Sequence, residues 1–264
     1  MRRNFGPSIL LCALLLGAGC GPSEREPPEA QGQAVAAEAE WSWLQQTKQA
    51  LDEKRERLAR STAAQPQGQP ASPSNATSAV AALRTEVGDL SEEFRRRLID
   101  YINANPPVEG EPPSGRQLEA IRMKTDEDIL IAREHIERGG DFRRAIDIYE
   151  AALAVDPENP RLPEELERAK AHRYMTAERF AQVQEGMTQD QVRALLGQPN
   201  LNNIREYPQR GVAAWFYTRD SQGGAAAVWF ETKGKSMAVY QTDFEAVTPG
   251  KPQPAAPPAG PPAP

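Results

Sequence analysis

Cysteine is nearly absent from this sequence, with two in 264 residues. Cys12 lies inside an N-terminal apolar run and Cys20 closes that run, so a processed chain has no second thiol for an internal disulfide. Histidine is equally scarce. His135 and His172 each fall in a charged helical stretch, where a solvated side chain is the expected role. No phosphate-binding loop, zinc-ligand spacing or Gly-x-Ser-x-Gly elbow occurs. Catalytic residues, metal ligands and cofactors are therefore not expected. Asp126-Glu127-Asp128 is the one dense carboxylate run, and it reads as a solvated helix face, with a cation site as the alternative. Basic residues number 31 against 37 acidic ones, and no basic stripe stands out, which argues against nucleic-acid binding. Aromatics make up 6% of the chain and mean hydropathy is −0.64, values that suit small cores and long solvated helices. Long apolar runs are missing too. Ile9–Leu16 falls well short of the roughly 20 residues a membrane-spanning helix needs.

Proline is plentiful, with 24 residues concentrated at 22–28, 66–73, 106–113, 157–163 and 249–264. The foldable length is correspondingly shorter than the whole. At the N-terminus, Arg2 and Arg3 precede the apolar run, and Gly17-Ala18-Gly19 follow it. This is the order of a secretory signal, residues 1–19, with cleavage before Cys20. Loss of the two arginines leaves 29 basic and 37 acidic residues, a net charge of −8. The small residues ending in Cys20 resemble the lipobox of bacterial lipoproteins, although the favoured leucine sits one place early, at Leu16. The resemblance implies acylation of Cys20, for which an ordinary cleaved signal with a chance cysteine is the alternative. Each buried CH₂ contributes about 0.8 kcal/mol, and two or more chains such as palmitate anchor stably. In that class Gly21, in place of aspartate, implies the outer membrane, facing the periplasm. Residues 20–40 are Pro/Glu/Ala-rich without periodicity and read as a flexible tether.

Residues 41–105 read as two helices around a 61–76 linker. Leu44, Leu51 and Leu58 mark the first. Val80, Leu83, Val87, Leu90, Phe94 and Tyr101 follow a heptad seam in the second. These are amphipathic helices packed on the chain or, alternatively, a coiled coil for a partner. After the Pro106–Pro113 break, 114–175 reads as helical. Ser114 and Gln117 match a capping box, Gly139-Gly140 stop the helix, and a second helix covers 142–154. Gly140, Ala145, Tyr149, Ala152 and Pro157 fall where a tetratricopeptide repeat places them. That resemblance implies two antiparallel helices in close approach. Only one such hairpin is present, so neighbouring helices must complete it, and a helix over 163–182 is the natural third member.

The densest signal is residues 185–200, EGMTQDQVRALLGQPN. Thr188 and Gln191 form a capping box, and Met187 and Val192 occupy the hydrophobic-staple positions. Val192, Leu195 and Leu196 share a face, Gly197 suits a left-handed cap, and Pro199 prevents continuation. Three β-rich runs follow at 212–218, 225–231 and 237–242, with Val228 and Phe230 facing one way and Trp229 the other. The fold class is α+β: a helical region, then two helices and a three-stranded antiparallel sheet. Residues 176–245 resemble the SmpA/OmlA/BamE lipoprotein family through Gly186-Met187-Thr188, Val192, Leu195-Leu196-Gly197, Pro199, Trp215-Phe216-Tyr217, Val228-Trp229-Phe230 and the turn at Gly234. The resemblance implies a small outer-membrane lipoprotein domain that assists insertion of β-barrel proteins. The long region 41–175 departs from that pattern.

Trp215, Tyr217, Trp229 and Tyr240 are candidate partner contacts, since aromatics are favoured at interface centres; core packing is the alternative role. Residues 246–264 are Pro-rich, cannot build a core and favour extended polyproline II, as a solvated end or as a ligand for an aromatic groove. The expected function is non-enzymatic: a lipid-anchored outer-membrane scaffold contacting envelope proteins, including barrel-assembly components. The alternatives are an adaptor binding cell-wall or secretion partners through the helices, and an inhibitor-type binding domain.

Overall fold

The structure, a computed structural model, describes residues 28–63, 75–107, 110, 113 and 115–250. Side chains of 28–34 and 75–77 are not among those described. Cys12, Cys20, Ser114 and the tail 251–264 lie outside these residues. Two compact units divide the chain, 1–43 and 44–264. Within the first, Pro28 onward is helical, the start of α1 (Pro28–Ala63). The sequence-based tether 20–40 is thus corrected: its second half is helix, because alanines and glutamates at 34–40 favour helix without any apolar period.

In the second unit, α1 is followed by α2 (Asn75–Ala104), α3 (Gly115–Gly139), α4 (Phe142–Val155) and α5 (Arg161–His172). Leu44 and Leu51 of α1 are buried, as are Leu83, Val87, Phe94, Leu98 and Tyr101 of α2. Leu98 takes the core place, while Leu90 is only half-buried. These helices pack on the chain itself. Lys54 pairs with Glu86, and Arg55 donates two hydrogen bonds at 2.7 Å to the Glu127 carboxylate of α3 and one at 2.9 Å to Ser91 of α2. Glu127 is buried, so its charge needs this bidentate partner. Gln117 donates to the carbonyls of Asn105 and Pro106 beyond the α2 terminus, supplying partners where a helix end lacks them.

Helices α3, α4 and α5 share a core of Ile129, Ala132, Ala145, Tyr149, Ala152, Leu162 and Leu166. Alanines at 132, 145 and 152 let the helices approach, and Tyr149 fills the space beside them. Its hydroxyl donates to Glu165 at 3.4 Å. Burial is the main cause that pushes this phenol up to about 12, with the Glu165 charge next. Glu165 in turn accepts from Arg133, whose hydrogen bond holds the carboxyl below its ordinary range. Helix α3 ends at a left-handed glycine: Gly140, at φ +59°, donates its N–H to Ile136 O, and Asp141 N–H donates to His135 O.

The expected helix over 163–182 stops instead at His172. Met175 N–H donates to Thr218 O at 2.8 Å, and Thr176, extended, caps the one-turn helix α6 (Ala177–Phe180). Burial of Met175 and Phe180 in the next core outweighs continuation of the charged helix. Helix α7 (Gln189–Leu196) follows. The sheet then runs β1 (Ile204–Tyr207), β2 (Val212–Thr218), β3 (Ala225–Lys233) and β4 (Ser236–Val247), antiparallel in chain order. Four strands replace the expected three. β1 escaped notice because Ile-Arg-Glu-Tyr does not alternate; its two apolar residues are three apart. One sheet face packs Trp215, Tyr217, Val228, Phe230 and Val239 against Met175, Phe180, Val183, Val192 and Leu196. The other carries Val212, Ala214, Phe216, Ala227 and Trp229.

Candidate functional site

The segment 185–200 organises the C-terminal domain. Thr188 accepts from the Gln191 backbone N–H at 3.3 Å, and the Gln191 side chain accepts from Thr188 N–H at 2.8 Å, so both halves of the capping box exist. Just before it, Gly186 (φ +85°) donates to Val239 O and Val239 donates to Met187 O, both at 2.8 Å. Thr188 and Ala238 form a bridge. Met187 packs half-buried against the core that Val192 and Leu196 enter.

The far end of α7 is closed as tightly. Its last carbonyls lack intrahelical donors. Arg179 donates to Leu196 O at 3.0 Å and Tyr217 donates its hydroxyl to Gly197 O at 3.2 Å. The Arg179 cation also suits the negative end of the helix dipole. Arg193 lies over the Trp215 ring at 5.0 Å and donates to the Gln198 side chain at 2.8 Å. Gly197 has φ +87°, and Pro199 is buried. The 198–200 backbone is where α3 and α4 meet this domain. A β-carbon on Gly140 would lie 2.5 Å from Pro199 C and 2.6 Å from Asn200 N, and closer still to Gln198 O.

The four aromatic candidates separate. Trp215 is 3% exposed and Tyr217 6%, and both serve the domain's own core. Burial raises the Tyr217 phenol far above its ordinary value. Trp229, at 2%, lies on the opposite face, edge-on to Phe216 with ring centres 5.8 Å apart. These three have no surface to offer, which corrects the expectation of direct partner contact there. Tyr240 is half-buried, and its hydroxyl is sealed from solvent without a hydrogen-bond partner.

The other polar candidates are engaged structurally. Asp126 pairs with Arg161 and Lys48, Glu127 with Arg55, and Asp128 with Lys124, so the carboxylate run divides among separate cations. His172 is exposed, with Nδ1 2.9 Å from Arg168 O. Among the described residues no cluster of three or more metal-ligating side chains occurs, and no helix is long and apolar enough to cross a membrane. Sequence reasoning missed Gly140 as a contact, Arg179 as a cap of α7, Arg193 as the cation over Trp215, and the Arg55–Glu127 pair. Only Gly140 had a signal, as a helix stop; nothing local marks the others, since Leu196, Trp215 and Glu127 lie at least 17 residues from the arginines that meet them.

Residues 173–248 match the family model described as the outer membrane protein assembly factor BamE domain. The match begins just beyond α5 and ends just beyond β4, taking in α6, α7 and the whole sheet. No curated protein and no solved structure matches the chain.

Proposed function

We propose that this protein works by binding other proteins in the bacterial envelope, as a lipid-anchored accessory to the assembly of β-barrel outer-membrane proteins. One observation carries the reading: the α+β domain whose helix α7 is capped at both ends by its own side chains coincides with the outer-membrane assembly factor domain at 173–248. Around α7, Thr188, Gln191, Arg179, Arg193 and Tyr217 are engaged in capping and pairing, an arrangement that suits contact by shape. Acylation of Cys20 would hold the protein at the outer membrane, facing the periplasm, beside the machinery it serves. The helical region 44–172 then acts as a scaffold fixed to the domain where Gly140 meets Gln198–Asn200. Two measurements test this. Crosslinked membranes are solubilised and the protein captured; barrel-assembly components should be enriched at least tenfold over an unrelated lipoprotein, and no enrichment defeats the assembly role. Cys20→Ala should release the protein from the membrane fraction and remove the acyl mass from the mature N-terminus. An unmodified wild-type N-terminus defeats the anchor alone.

A further inference from the structure

Four methionines fall among the described residues, and they divide by exposure. Met123 and Met175 are buried, at 8% and 7%. Met187 and Met237 are half-buried and pack at the margin of the core that α6, α7 and the sheet share. Both of these sulfurs accept hydrogen bonds. Met187 Sδ takes the Gln184 backbone N–H at 3.4 Å, and Met237 Sδ takes the Gln189 side-chain amide at 3.6 Å. A thioether is a weak acceptor, so each contact holds only while the apolar side chain also keeps its place against the core.

The two sulfurs bracket one junction. Gly186–Thr188 runs along the outer side of β4. Gly186 N–H donates to Val239 O, Val239 N–H donates to Met187 O, and Thr188 bridges to Ala238. Gln184 leads into this stretch, and Gln189, the first residue of α7, leads out of it. One thioether therefore ties down the entry and the other the exit. Met187 does so from within the stretch, and Met237 from beside Ala238 on the strand it borders. The junction rests on two oxidisable side chains that solvent reaches.

We propose that Met187 and Met237 form a reversible oxidation site, at which hydrogen peroxide converts the thioethers to sulfoxides and releases Gly186–Thr188 from β4. A sulfur lone pair attacks one peroxide oxygen, and the S–O bond forms as the O–O bond breaks. The transferred hydroxyl gives its proton to the departing hydroxide, which leaves as water. Sulfur loses two electrons and the peroxide gains them. The product carries a polar oxygen on a side chain that had been apolar. Against an apolar core that oxygen has no donor, so the side chain turns outward and draws the junction with it. Val239 N–H and C=O then lose their partners and face water. Sulfoxide reductases, one for each epimer, return the thioether, which makes the release reversible. Met123 and Met175 lack the solvent access to compete.

The test exposes the full chain to millimolar hydrogen peroxide, following each methionine by peptide mass and each amide by hydrogen exchange. Met187 and Met237 should gain oxygen about tenfold faster than Met123 and Met175. In the oxidised protein the Gly186 and Val239 amides should exchange about tenfold faster, while amides of β2 and β3 keep their rates. Reductase treatment of the same sample should restore slow exchange, a reading that needs no variant. Met187→Leu combined with Met237→Leu, close in volume, should leave both amides slow after peroxide. Four methionines oxidised at one rate overturn the proposal. So does oxidation at Met187 and Met237 with Gly186 and Val239 still protected. Faster exchange across the whole sheet, which would mean general unfolding, overturns it too, as does peroxide-induced exchange that persists in the double leucine variant.

Discussion

Replacing Gly140 with alanine probes the joint between the helical region and the C-terminal domain. Two costs add. Left-handed backbone at φ +59° costs a non-glycine residue roughly 1–2 kcal/mol. The new methyl would also enter the space of Gln198 O, Pro199 C and Asn200 N. These are backbone atoms, which cannot swing aside as a side-chain tip can, and overpacking of this kind costs about 1–3 kcal/mol. The expected loss is about 2–5 kcal/mol, which for a body of this size lowers Tm by roughly 4–20 °C. Gly139→Ala is the control: a β-carbon there meets only Asp141 Cβ at 3.9 Å, so its Tm should stay within about 2 °C of wild type. Hydrogen exchange should localise the effect, with amides of 196–203 losing protection in Gly140→Ala. A Gly140→Ala protein as stable as Gly139→Ala, with 196–203 still protected, would refute the joint.

Thr188→Ala removes one half of the α7 capping box and should cost about 1 kcal/mol in urea unfolding, with a smaller loss for Thr188→Ser, which keeps the acceptor. Glu127→Gln leaves Arg55 facing a neutral amide and should cost about 2–4 kcal/mol, somewhat under the range for a fully buried pair because part of Arg55 reaches water; a Tm equal to wild type would deny that the pair is buried. Glu165 has its folded pKa lowered, first through the Arg133 hydrogen bond. Its stabilising contribution is therefore present above the ordinary carboxylate value of about 4.5 and is lost as pH falls through the folded value. Glu165→Gln should lower Tm at pH 7 and flatten the decline of Tm from pH 5 to pH 3; an acid limb as steep as wild type would contradict the assignment.

What could be read from the sequence tracks how local the signal is. Helix α7 was legible to its caps because Thr188, Gln191, Gly197 and Pro199 act within a few residues of one another. The alternation of Val228, Trp229 and Phe230 gave the two sheet faces for the same reason. The break at His172 was not legible, because it depends on Met175 bonding Thr218, more than forty residues away. β1 had no alternation to show. The aromatics illustrate the limit for site residues: composition marks Trp215 and Tyr217 as contact-formers, but only the fold reveals that their contacts are Arg193 and the Gly197 carbonyl. Gly140 had a plain local reading as a helix stop, while its closer constraint lies in 198–200.

The stretch Gly186–Thr188 also decides what the sheet can share. By bonding Val239 from the outside, it stoppers the first half of the β4 border with the chain's own backbone. An extended guest strand seeking a template finds no vacancy there. Its options narrow to the brief β1 margin, or to the outer half of β4, where Gln241, Thr242, Asp243 and Glu245 are exposed and two carboxylates discourage indiscriminate stacking. Wherever unpaired strands of other chains are abundant, an edge arranged in this way guards the sheet against becoming their nucleus.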